Sequence, residues 1–383
     1  MQNNVDSVFI FSPVDFDKVQ RHTEMYYLSQ YCSENLDTHV ATPSSQLSGV
    51  TNHHFHFDGI IGIIFLNLIF APLWAWIFAT EDPDVVYCYP EVVTPPLIAQ
   101  ALTDARVVFD IRAEPFEQRE EFTSKKDQAI PLMKRYLYSV DKILFRWVLR
   151  RSDLVVTLSD DLAEKISHNY GIASESIHIL PLGVDVNKFE PQTEARDTEL
   201  SLVYLGTINE IRGLGTLVSA IERLDPETQS KLRFDLIGGG DDQYIDELCS
   251  KIDETLPNLS FNYHGYVDHE AIPRVAGRSD VAVSLLPGLD SFKVSSPAKI
   301  YEYQGLGLPI IATDIPAHRR ILTDGKDAII VNQDDPTAVA TAIEDLLSEP
   351  GRINRLSDQA RDNAMQHSWE NRFSQLFDRI GNL

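Results

Sequence analysis

Short apolar runs alternate with longer amphipathic segments along most of this chain, and this alternation constrains the fold more than any other feature of the sequence. An order of this kind is typical of a parallel sheet with helices on both faces. The first series of predicted strands comprises Ser7–Ser12, His39–Thr42, Val85–Tyr89, Arg106–Asp110, Leu154–Leu158 and Ile177–Leu180. Segments with helical spacing, such as 18–35, 131–151 and 160–170, lie between these strands.

The same alternation restarts after Gly183–Glu199, a polar stretch that reads as an interdomain linker. The second series of predicted strands comprises Ser201–Leu205, Leu232–Ile237, Ser260–His264, Val281–Leu285, Pro309–Thr313 and Ala328–Val331. We therefore predict an α/β chain of two Rossmann-like, doubly wound parallel-sheet domains, at 1–184 and 185–368, that face a cleft. Open sheets bind ligands at the carboxyl ends of their strands, so we expect the functional site in that cleft.

The composition excludes several classes of protein. The 383 residues are 43% hydrophobic and 23% charged, which rules out a disordered or collagen-like chain. Acidic residues outnumber basic residues by 57 to 33, and the resulting net charge of −24 argues against nucleic acid as a partner. Such acidity suits either a halophile's salt-rich cytoplasm or high solubility alone. Three widely spaced cysteines and an amino terminus without a secretory pattern predict a cytoplasmic protein without a disulfide framework or zinc site.

Residues 60–79 form an apolar run of 20 residues without a charge, which is long enough to span a bilayer. The run lies between two predicted strands of one domain, so a span would divide one sheet between the two sides of a membrane. Two other interpretations are a helix covered on every side, and a monotopic segment whose Trp74 and Trp76 enter a lipid surface. The monotopic interpretation would place the protein at the inner face of the cell membrane. Nearby basic residues would assist it: Lys142, Arg146, Arg150 and Arg151.

The segment Ser295–Thr313 carries the clearest sign of a ligand site. Ser296 suits the N-cap of a helix, Pro297 suits its first position, and Gly305 and Gly307 suit its end. The free amides and the positive dipole end of such a helix would hold an anionic group such as a diphosphate.

Lys299 and Glu302 lie three residues apart on this predicted helix and therefore share one face. A cation beside phosphates and a carboxylate that accepts from a sugar diol would suit a sugar nucleotide. The alternative is a surface ion pair on an ordinary capped helix.

Two glycine-containing loops follow predicted strands and offer further phosphate contacts. Gly206–Leu214 contains Arg212, which can supply a fork of donors, and its glycine lets backbone amides approach a ligand. Gly238–Gly240 lacks side chains and would admit a base or a ribose, with Gly238 and Gly239 as the candidate contacts. A plain tight turn explains the second loop equally well.

Several segments, in this order, resemble the family-4 glycosyltransferases of the GT-B fold. They read SDLVVTLSDDLAEKI, IHILPLGVDVNKFEP, VYLGTINEIRG, FDLIGGG, FNYHGYV, SPAKIYEYQGLGLPIIAT and SWENRF, and extend over about 60% of the chain. The first 150 residues resemble the family in their strand-helix rhythm and in PDVVYCY. The resemblance implies transfer of a sugar from a nucleotide donor to an acceptor, with retention of anomeric configuration and without a bound metal or other cofactor. It also implies that a final helix, at 369–383, returns to the first domain.

The resemblance assigns donor-binding roles to individual residues. Glu302 matches the second glutamate of the family's E-x7-E motif, which binds the donor ribose. Gly206 matches the glycine that admits the diphosphate, and Arg212 stands where the family usually has a phosphate-binding lysine. Together with Lys299, Arg212 would stabilise the negative charge of the leaving diphosphate, so both are candidate catalytic residues.

Two positions depart from the family pattern. Val294 replaces the first glutamate of the motif, and Thr207 stands where an arginine is common. These departures leave the donor sugar open. They also leave Lys299 and the amides of Ser295 and Ser296 as an alternative set of phosphate ligands.

On the acceptor side, Asp110 and Arg112 follow a predicted strand of the first domain. Asp110 could orient an acceptor hydroxyl or take its proton, and Arg112 could bind an acceptor phosphate. A structural Asp-Arg pair is the alternative. Asp15 and His22, near the first strand-helix turn, are further candidates for acceptor binding.

We expect no metal site. The acidic pairs at 15–17 and 82–84 spell the D-x-D pattern of metal-dependent transferases, but chance matches are expected in so acidic a chain. His53, His54 and His56 resemble a metal cluster, whereas their polar setting favours a solvated loop.

These observations predict a retaining, metal-independent glycosyltransferase that moves a hexosyl group from a nucleotide-diphosphate sugar to a glycan or lipid-linked acceptor. One rival has the same fold and acts as a sugar-nucleotide epimerase or hydrolase. Another is a non-catalytic partner subunit that binds a nucleotide sugar, motivated by Val294 and Thr207. A nicotinamide-dependent dehydrogenase is discounted because no G-x-G-x-x-G follows the first strand.

Overall fold

The chain is divided into two compact units. The computed structural model describes residues 5–11, 24–42, 47–54, 67, 69–90, 92–114, 143–192, 199–289, 292 and 296–383. One unit comprises Met1–Pro181 and Arg372–Leu383, and the other comprises Leu182–Asn371. Each unit is built on one parallel sheet with helices, which confirms the predicted α/β class.

The sheet of the first unit has seven strands in the order β3-β2-β1-β4-β5-β6-β7, and all neighbours pair in parallel. The strands are β1 Ser7–Phe11, β2 Asp37–Thr42, β3 Thr51–His54, β4 Val85–Cys88, β5 Arg106–Ile111, β6 Leu154–Thr157 and β7 Ile177–Ile179. The chain reverses its direction of winding between β1 and β4. This reversal defines the doubly wound Rossmann arrangement.

The sheet of the second unit has six parallel strands in the order β10-β9-β8-β11-β12-β13, with the same reversal between β8 and β11. The strands are β8 Leu200–Leu205, β9 Leu232–Ile237, β10 Ser260–Gly265, β11 Val281–Ser284, β12 Ile310–Thr313 and β13 Ala328–Val331. All twelve predicted strands are therefore present among the described residues, with ends that differ by one or two positions.

Helices connect the strands, as a parallel sheet requires. They are α1 Glu24–Asn35, α2 Ala71–Glu81, α3 Thr94–Leu102, α4 Asp160–Tyr170, α5 Leu214–Ile221, α6 Pro226–Gln229, α7 Asp242–Thr255, α8 Ile272–Ala276, α9 Ala298–Gly305, α10 Pro316–Arg319, α11 Pro336–Ser348, α12 Pro350–Gln366 and α13 Trp369–Gly381. Residues 143–149 are also helical. Short 3-10 turns cover Ser174–Ser176 and Glu210–Arg212.

The apolar run at 60–79 is described from residue 69 onward, together with Asn67, and its other residues lie outside the described part. Within α2, Trp74 and Phe78 are buried and pack on strand β1, where the Trp74 and Phe11 ring centroids lie 4.9 Å apart. Leu73 and Trp76 point outward, and 63% of Trp76 is exposed. The described part of the run is therefore not covered on every side. No helix among the described residues is long and apolar enough to cross a membrane.

The expectation of a solvated loop at His53 and His54 was wrong. Both residues belong to the edge strand β3, which pairs with β2, while His56 lies outside the described residues. The ring of His53 stacks on Phe9, with 5.1 Å between the ring centroids, and burial lowers the pKa of its imidazole. The sequence did not predict this strand because its residues are polar, and backbone pairing with β2 holds it in place instead of an apolar pattern.

The final helix packs largely against the first unit. Tyr31 of α1 stacks on Phe377, with ring centroids 5.9 Å apart, and also contacts Phe373. Arg379 donates to the Glu175 carbonyl at 2.7 Å. These contacts explain why Arg372–Leu383 cluster with a unit that otherwise ends at Pro181.

Candidate active site

The predicted donor-binding residues of the second unit collect where its sheet reverses direction. Gly206 follows β8 and Gly238 follows β9, while helix α9 precedes β12. In sheets of this type, ligands bind outside the carboxyl ends of the strands at the reversal. The topology thus places the loop after β8 at the position where a ligand is expected.

Helix α9 is fixed to β8 by a buried tyrosine. The hydroxyl of Tyr303, which is fully buried, accepts the backbone N–H of Leu205 at 2.7 Å. Four residues earlier on the same helix, the Lys299 Nζ lies 4.1 Å from the centroid of the Tyr204 ring. The hydroxyl of Tyr204 in turn donates to the carbonyl of Thr207 at 2.7 Å. Lys299 is therefore held beside the loop that follows β8.

Two cations, Lys299 and Arg212, share this region. The pKa of Lys299 falls to about 7 because burial penalises its charged form and the positive charge of Arg212 adds to the penalty, with partial relief from Glu302. A bound anion would oppose both effects and restore the charge of the lysine. The region is therefore electrostatically suited to an anionic ligand.

Buried polar atoms in the loop after β8 add to this picture. The Asn209 Oδ1 and the Arg212 Nε are buried and have no hydrogen-bond partner among the described residues. The guanidinium of Arg212 lies 5.2 Å from the centroid of the Phe292 ring. Buried polar atoms are almost always paired in folded proteins, so these two atoms mark the loop as a candidate for ligand contact.

Glu302 is held by a chain of two further side chains. The His269 Nε2 lies 2.9 Å from Glu302 Oε1, and the Lys188 Nζ lies 2.9 Å from the His269 Nδ1. A lysine ammonium can only donate, so the Nδ1 of His269 must accept and its Nε2 must carry the proton. The histidine therefore donates to the carboxylate and fixes its orientation. Lys188 also pairs with Glu270 at 2.7 Å.

Neither Lys188 nor His269 was predicted from the sequence to be a functional residue. They are 81 positions apart, and no motif links them. A weak signal existed, because Lys188 lies within the stretch GVDVNKFEP of the resemblance and His269 lies two residues after the stretch FNYHGYV. Nothing in the sequence places them against Glu302.

The two glycine-containing loops pack closely on each other. A Cβ on Gly238, whose φ is +140°, would lie 1.9 Å from the carbonyl oxygen of Gly206. The N–H of Gly206 donates to the carbonyl of Ile237 at 3.0 Å, so this amide already has a hydrogen-bond partner within the fold. Gly239 has no neighbouring atom within 4 Å of a Cβ placed on it, and Thr207 is exposed. Loop packing accounts for Gly238 and a φ of +131° accounts for the glycine at position 206, while Gly239 and Thr207 face open space.

The expected N-cap of the site helix was wrong. Helix α9 begins at Ala298, and Pro297 occupies the N-cap in an extended conformation without a side-chain cap. The hydroxyl of Ser296 instead lies 3.2 Å from that of Tyr301. Ser296 is thus engaged with the helix through a side chain five residues later. Ser295 and Val294 lie outside the described residues.

Asp110 and Arg112 are brought together in the first unit, in a network that favours the structural alternative. Asp110 is fully buried; it accepts from the hydroxyl of Tyr87 at 2.6 Å and pairs with Arg112. Arg112 also pairs with Glu24 and donates to the carbonyl of Leu180. Burial raises the pKa of the Asp110 carboxyl, and the hydrogen bond from Tyr87 opposes the rise.

The remaining candidates on the acceptor side, Asp15 and His22, lie outside the described residues. The acidic pair at 82–84 has a structural explanation, because Asp84 Oδ2 accepts the backbone N–H groups of Asp6 and Ser7 at the start of the sheet. No group of three or more potential metal ligands occurs within the described part of the chain.

Two protein-family models match the chain. The first, described as Glycosyltransferase Family 4, matches residues 25–188, and the second, described as Glycosyl transferases group 1, matches residues 199–349. Each model covers the sheet of one unit or most of it, so together they account for both units.

Curated relatives match at low identity. The chain is 25% identical over 253 residues to a D-inositol 3-phosphate glycosyltransferase of Xylanimonas cellulosilytica, covering 60% of this chain and 57% of the relative. It is 28% identical over 247 residues to an MMP alpha-(1->4)-mannosyltransferase of Mycolicibacterium hassiacum, covering 63% of this chain and 56% of the relative. The chain thus spans less than two thirds of the length of these relatives.

Solved structures match almost the whole chain. A glycosyltransferase from Rickettsia africae ESF-5 aligns with a TM-score of 0.70 at 16% identity, covering 98% of this chain and 99% of that one. HepE of Anabaena, in complex with UDP and glucose, aligns with a TM-score of 0.66 at 13% identity, covering 99% of this chain and 100% of HepE. At such identities the structures report on the fold. The chain belongs to the family-4 glycosyltransferases, and its two parallel-sheet domains have the GT-B fold.

Proposed function

We propose that this protein transfers a sugar from a nucleotide-diphosphate sugar to a glycan or lipid-linked acceptor, with retention of anomeric configuration and without a metal ion. The observation that carries the proposal is that two cations, Lys299 and Arg212, lie close together beyond the end of β8. Next to them is a carboxylate, Glu302, that His269 holds in place. Two cations suit a diphosphate, and an oriented carboxylate suits a ribose diol.

In this proposal the two cations carry the main catalytic effect. When the bond between sugar and diphosphate breaks, negative charge develops on the diphosphate, and fixed positive groups aimed at that charge lower the barrier. Lys299 would gain its full charge as the diphosphate binds, because the anion raises its lowered pKa. Arg212 would contribute a planar fork of donors, and a divalent cation would not be needed.

Relatives support a nucleotide sugar as donor. HepE of Anabaena has been crystallised in complex with UDP-glucose, and the relatives named above are a glycosyltransferase and a mannosyltransferase. Glycogen synthase of Mycobacterium tuberculosis, 22% identical over 281 residues, and a lipopolysaccharide outer core galactosyltransferase, with a TM-score of 0.58, are consistent with a glycan acceptor.

Donor binding is the direct test. UDP-glucose, GDP-mannose and ADP-glucose are titrated into the wild-type chain and into Glu302→Ala, with Glu227→Ala, an exposed carboxylate in a surface ion pair, as the matched control. We expect one donor to bind, and Glu302→Ala to lose most of that affinity while the control keeps it. Equal binding by Glu302→Ala would remove the assigned site.

Transfer is tested with the donor that binds. Release of sugar from the donor is followed with and without a panel of oligosaccharide acceptors, in the presence and absence of EDTA, and the anomeric configuration of the product is read by NMR. We expect acceptor-dependent release that EDTA leaves unchanged and a product that retains the donor configuration. Consumption of donor without any acceptor would favour an epimerase or hydrolase, and binding without turnover would favour a non-catalytic subunit.

We further propose that the cytoplasmic protein rests on the inner face of the membrane through its first unit. Ile69, Leu73 and Trp76 lie four and three residues apart, so they share one helical face, and all three are exposed. Trp147 is half-exposed, and the guanidinium of Arg151 lies 5.0 Å from the centroid of its ring. Tryptophan with neighbouring arginine is typical of segments that lie in the headgroup region of a lipid surface.

Vesicle binding tests this contact. The wild-type chain should sediment with vesicles that contain anionic lipid, and Leu73→Ser/Trp76→Ser should reduce the bound fraction about tenfold, because two large apolar side chains are lost from the surface. Met365→Ser, an exposed apolar side chain of the second unit, is the control. Unchanged sedimentation of the double variant would contradict the proposed contact.

A further inference from the structure

The second unit contains a cavity that none of the donor-site residues line. Its volume is about 650 Å³, which lies within the range of small-molecule sites. Ser279 comes two residues before β11, and Leu308 comes two residues before β12. These residues precede their strands, whereas Gly206 and Gly238 follow the carboxyl ends of theirs. The cavity therefore reaches the amino ends of β11 and β12, away from the donor-site loops, and also extends along β9 and β10.

The cavity is positively charged in a strongly acidic chain. Arg233, Arg274 and Arg278 line it, and Asp235 is the single carboxylate among the described residues that do so. The lining thus carries two more positive than negative charges, while the whole chain carries a net charge of −24. A local reversal of charge of this kind concentrates anions at a surface that otherwise repels them.

The one carboxylate of the lining is fully engaged by its neighbours. Asp235 is buried; its Oδ2 accepts from Arg233 Nε at 2.9 Å, and its Oδ1 lies 2.8 Å from His264 Nε2 and 3.2 Å from Asn262 Nδ2. Three donors therefore share this carboxylate, which orients them along the cavity wall. Arg233 also donates to the carbonyl of Arg278 at 3.2 Å, which ties two of the arginine-bearing segments together.

A buried hydroxyl adds a further potential contact. Ser279 is 6% exposed, lines the cavity, and its Oγ has no hydrogen-bond partner within the described part of the chain. The neighbouring rim residues Arg274 and Arg278 are exposed and lie four positions apart on and just after helix α8. A hydroxyl at the wall and guanidinium groups at the rim can together contact several oxygens of one anion.

We propose that this cavity is a second anion site, which binds the phosphate group of a phosphorylated small molecule independently of the donor site. Arginine forks match the geometry of phosphate oxygens, and charge-assisted hydrogen bonds of this type are about twice as strong as neutral ones. A dianionic phosphate monoester matches the two surplus positive charges of the lining. The volume leaves room for an attached organic group.

Inorganic phosphate is the probe. It is titrated into the full chain at constant ionic strength, with chloride as the balancing anion, and binding is followed by calorimetry and ³¹P NMR. The titration is carried out in a Lys299→Gln/Arg212→Gln background, so that the cations of the donor site are absent. We expect saturable binding in this background, since the second site does not use either residue. Failure of the donor proposal would leave this result unchanged.

Two further variants decide the assignment. Arg274→Gln/Arg278→Gln should weaken phosphate binding at least about tenfold, because two charge-assisted contacts are lost. Arg352→Gln/Arg355→Gln, which removes two arginines paired with Asp345 and Glu349 on another surface, should leave binding within about twofold of the background. Since Arg274 and Arg278 are exposed, the variant should keep its fold, which circular dichroism checks. Unchanged binding by Arg274→Gln/Arg278→Gln, or no saturable binding in the background, would overturn the proposal.

Discussion

Replacement of His269 by alanine should weaken donor binding even though the imidazole is placed against a protein carboxylate and not against the donor itself. The side chains of His269 and Glu302 are 12% and 17% exposed, and their contact is 2.9 Å long. Without the histidine, the carboxylate loses its donor and is free to turn toward water or toward Lys299. Glu302 would then have to be reoriented each time a nucleotide binds.

The size of the effect follows from the type of bond. A hydrogen bond to a charged group contributes about 1.5–3 kcal/mol, and each 1.4 kcal/mol is about tenfold in affinity. We therefore expect His269→Ala to raise the Kd of the donor by about tenfold to a hundredfold. His269→Gln should recover most of the loss, because the glutamine amide can donate to Glu302 while its carbonyl accepts from Lys188.

The assay is calorimetric titration of the nucleotide sugar into the wild-type chain, His269→Ala, His269→Gln and Glu302→Ala, with thermal unfolding of each variant measured in parallel. Lys231→Ala, which removes a largely exposed ion pair with Glu227, serves as the control for a general loss of stability. If His269→Ala bound the donor within about twofold of wild type while Glu302→Ala lost binding, the histidine would have no orienting role. Equal loss in His269→Ala and His269→Gln would also contradict the reasoning.

Three further predictions concern the protonation, the glycine packing and the buried ion pair. The pKa of Lys299, about 7 in the free protein, should rise when the diphosphate binds, so binding should take up a proton above pH 7. The heat of binding measured by calorimetry should therefore differ between Tris and HEPES buffers, and identical heats would contradict the prediction. Gly238→Ala should destabilise the fold by about 2 kcal/mol or more because its Cβ meets a carbonyl at 1.9 Å, whereas Gly215→Ala, in open space within α5, should be neutral or stabilising in urea unfolding. Asp110→Asn should cost about 1.5–3 kcal/mol in the same assay, because Arg112 loses one of its two carboxylate partners and keeps Glu24, and donor affinity should stay unchanged. Unchanged stability together with loss of transfer would instead support a role of Asp110 in acceptor chemistry.

Buried strands are the part of the fold that the sequence predicts best. Runs such as Val85–Cys88 and Ile310–Thr313 lie between two other strands, where both faces are covered, so their apolar character is continuous and visible without a structure. Strand Thr51–His54 lies at the edge, and its residues are polar and partly exposed. Its position depends on backbone pairing with β2, which leaves no pattern in the sequence.

The candidate site was predicted in part for a related reason. Lys299 and Glu302 are close in sequence, so helical spacing alone places them on one face. His269 and Lys188 reach Glu302 from two separate connections, and the sequence contains no information on how those connections fold. The start of α9 was misplaced because Pro297 suits the first helical position, while its extended conformation instead makes it the N-cap.

The most direct test of the account is a crystal structure of the chain grown with a nucleotide-diphosphate sugar. We predict diphosphate oxygens within hydrogen-bond distance of the Lys299 ammonium and the Arg212 guanidinium, with the ribose hydroxyls on the Glu302 oxygen that His269 leaves available. A nucleotide bound elsewhere, with Lys299 still lying over the Tyr204 ring, would contradict the central claim.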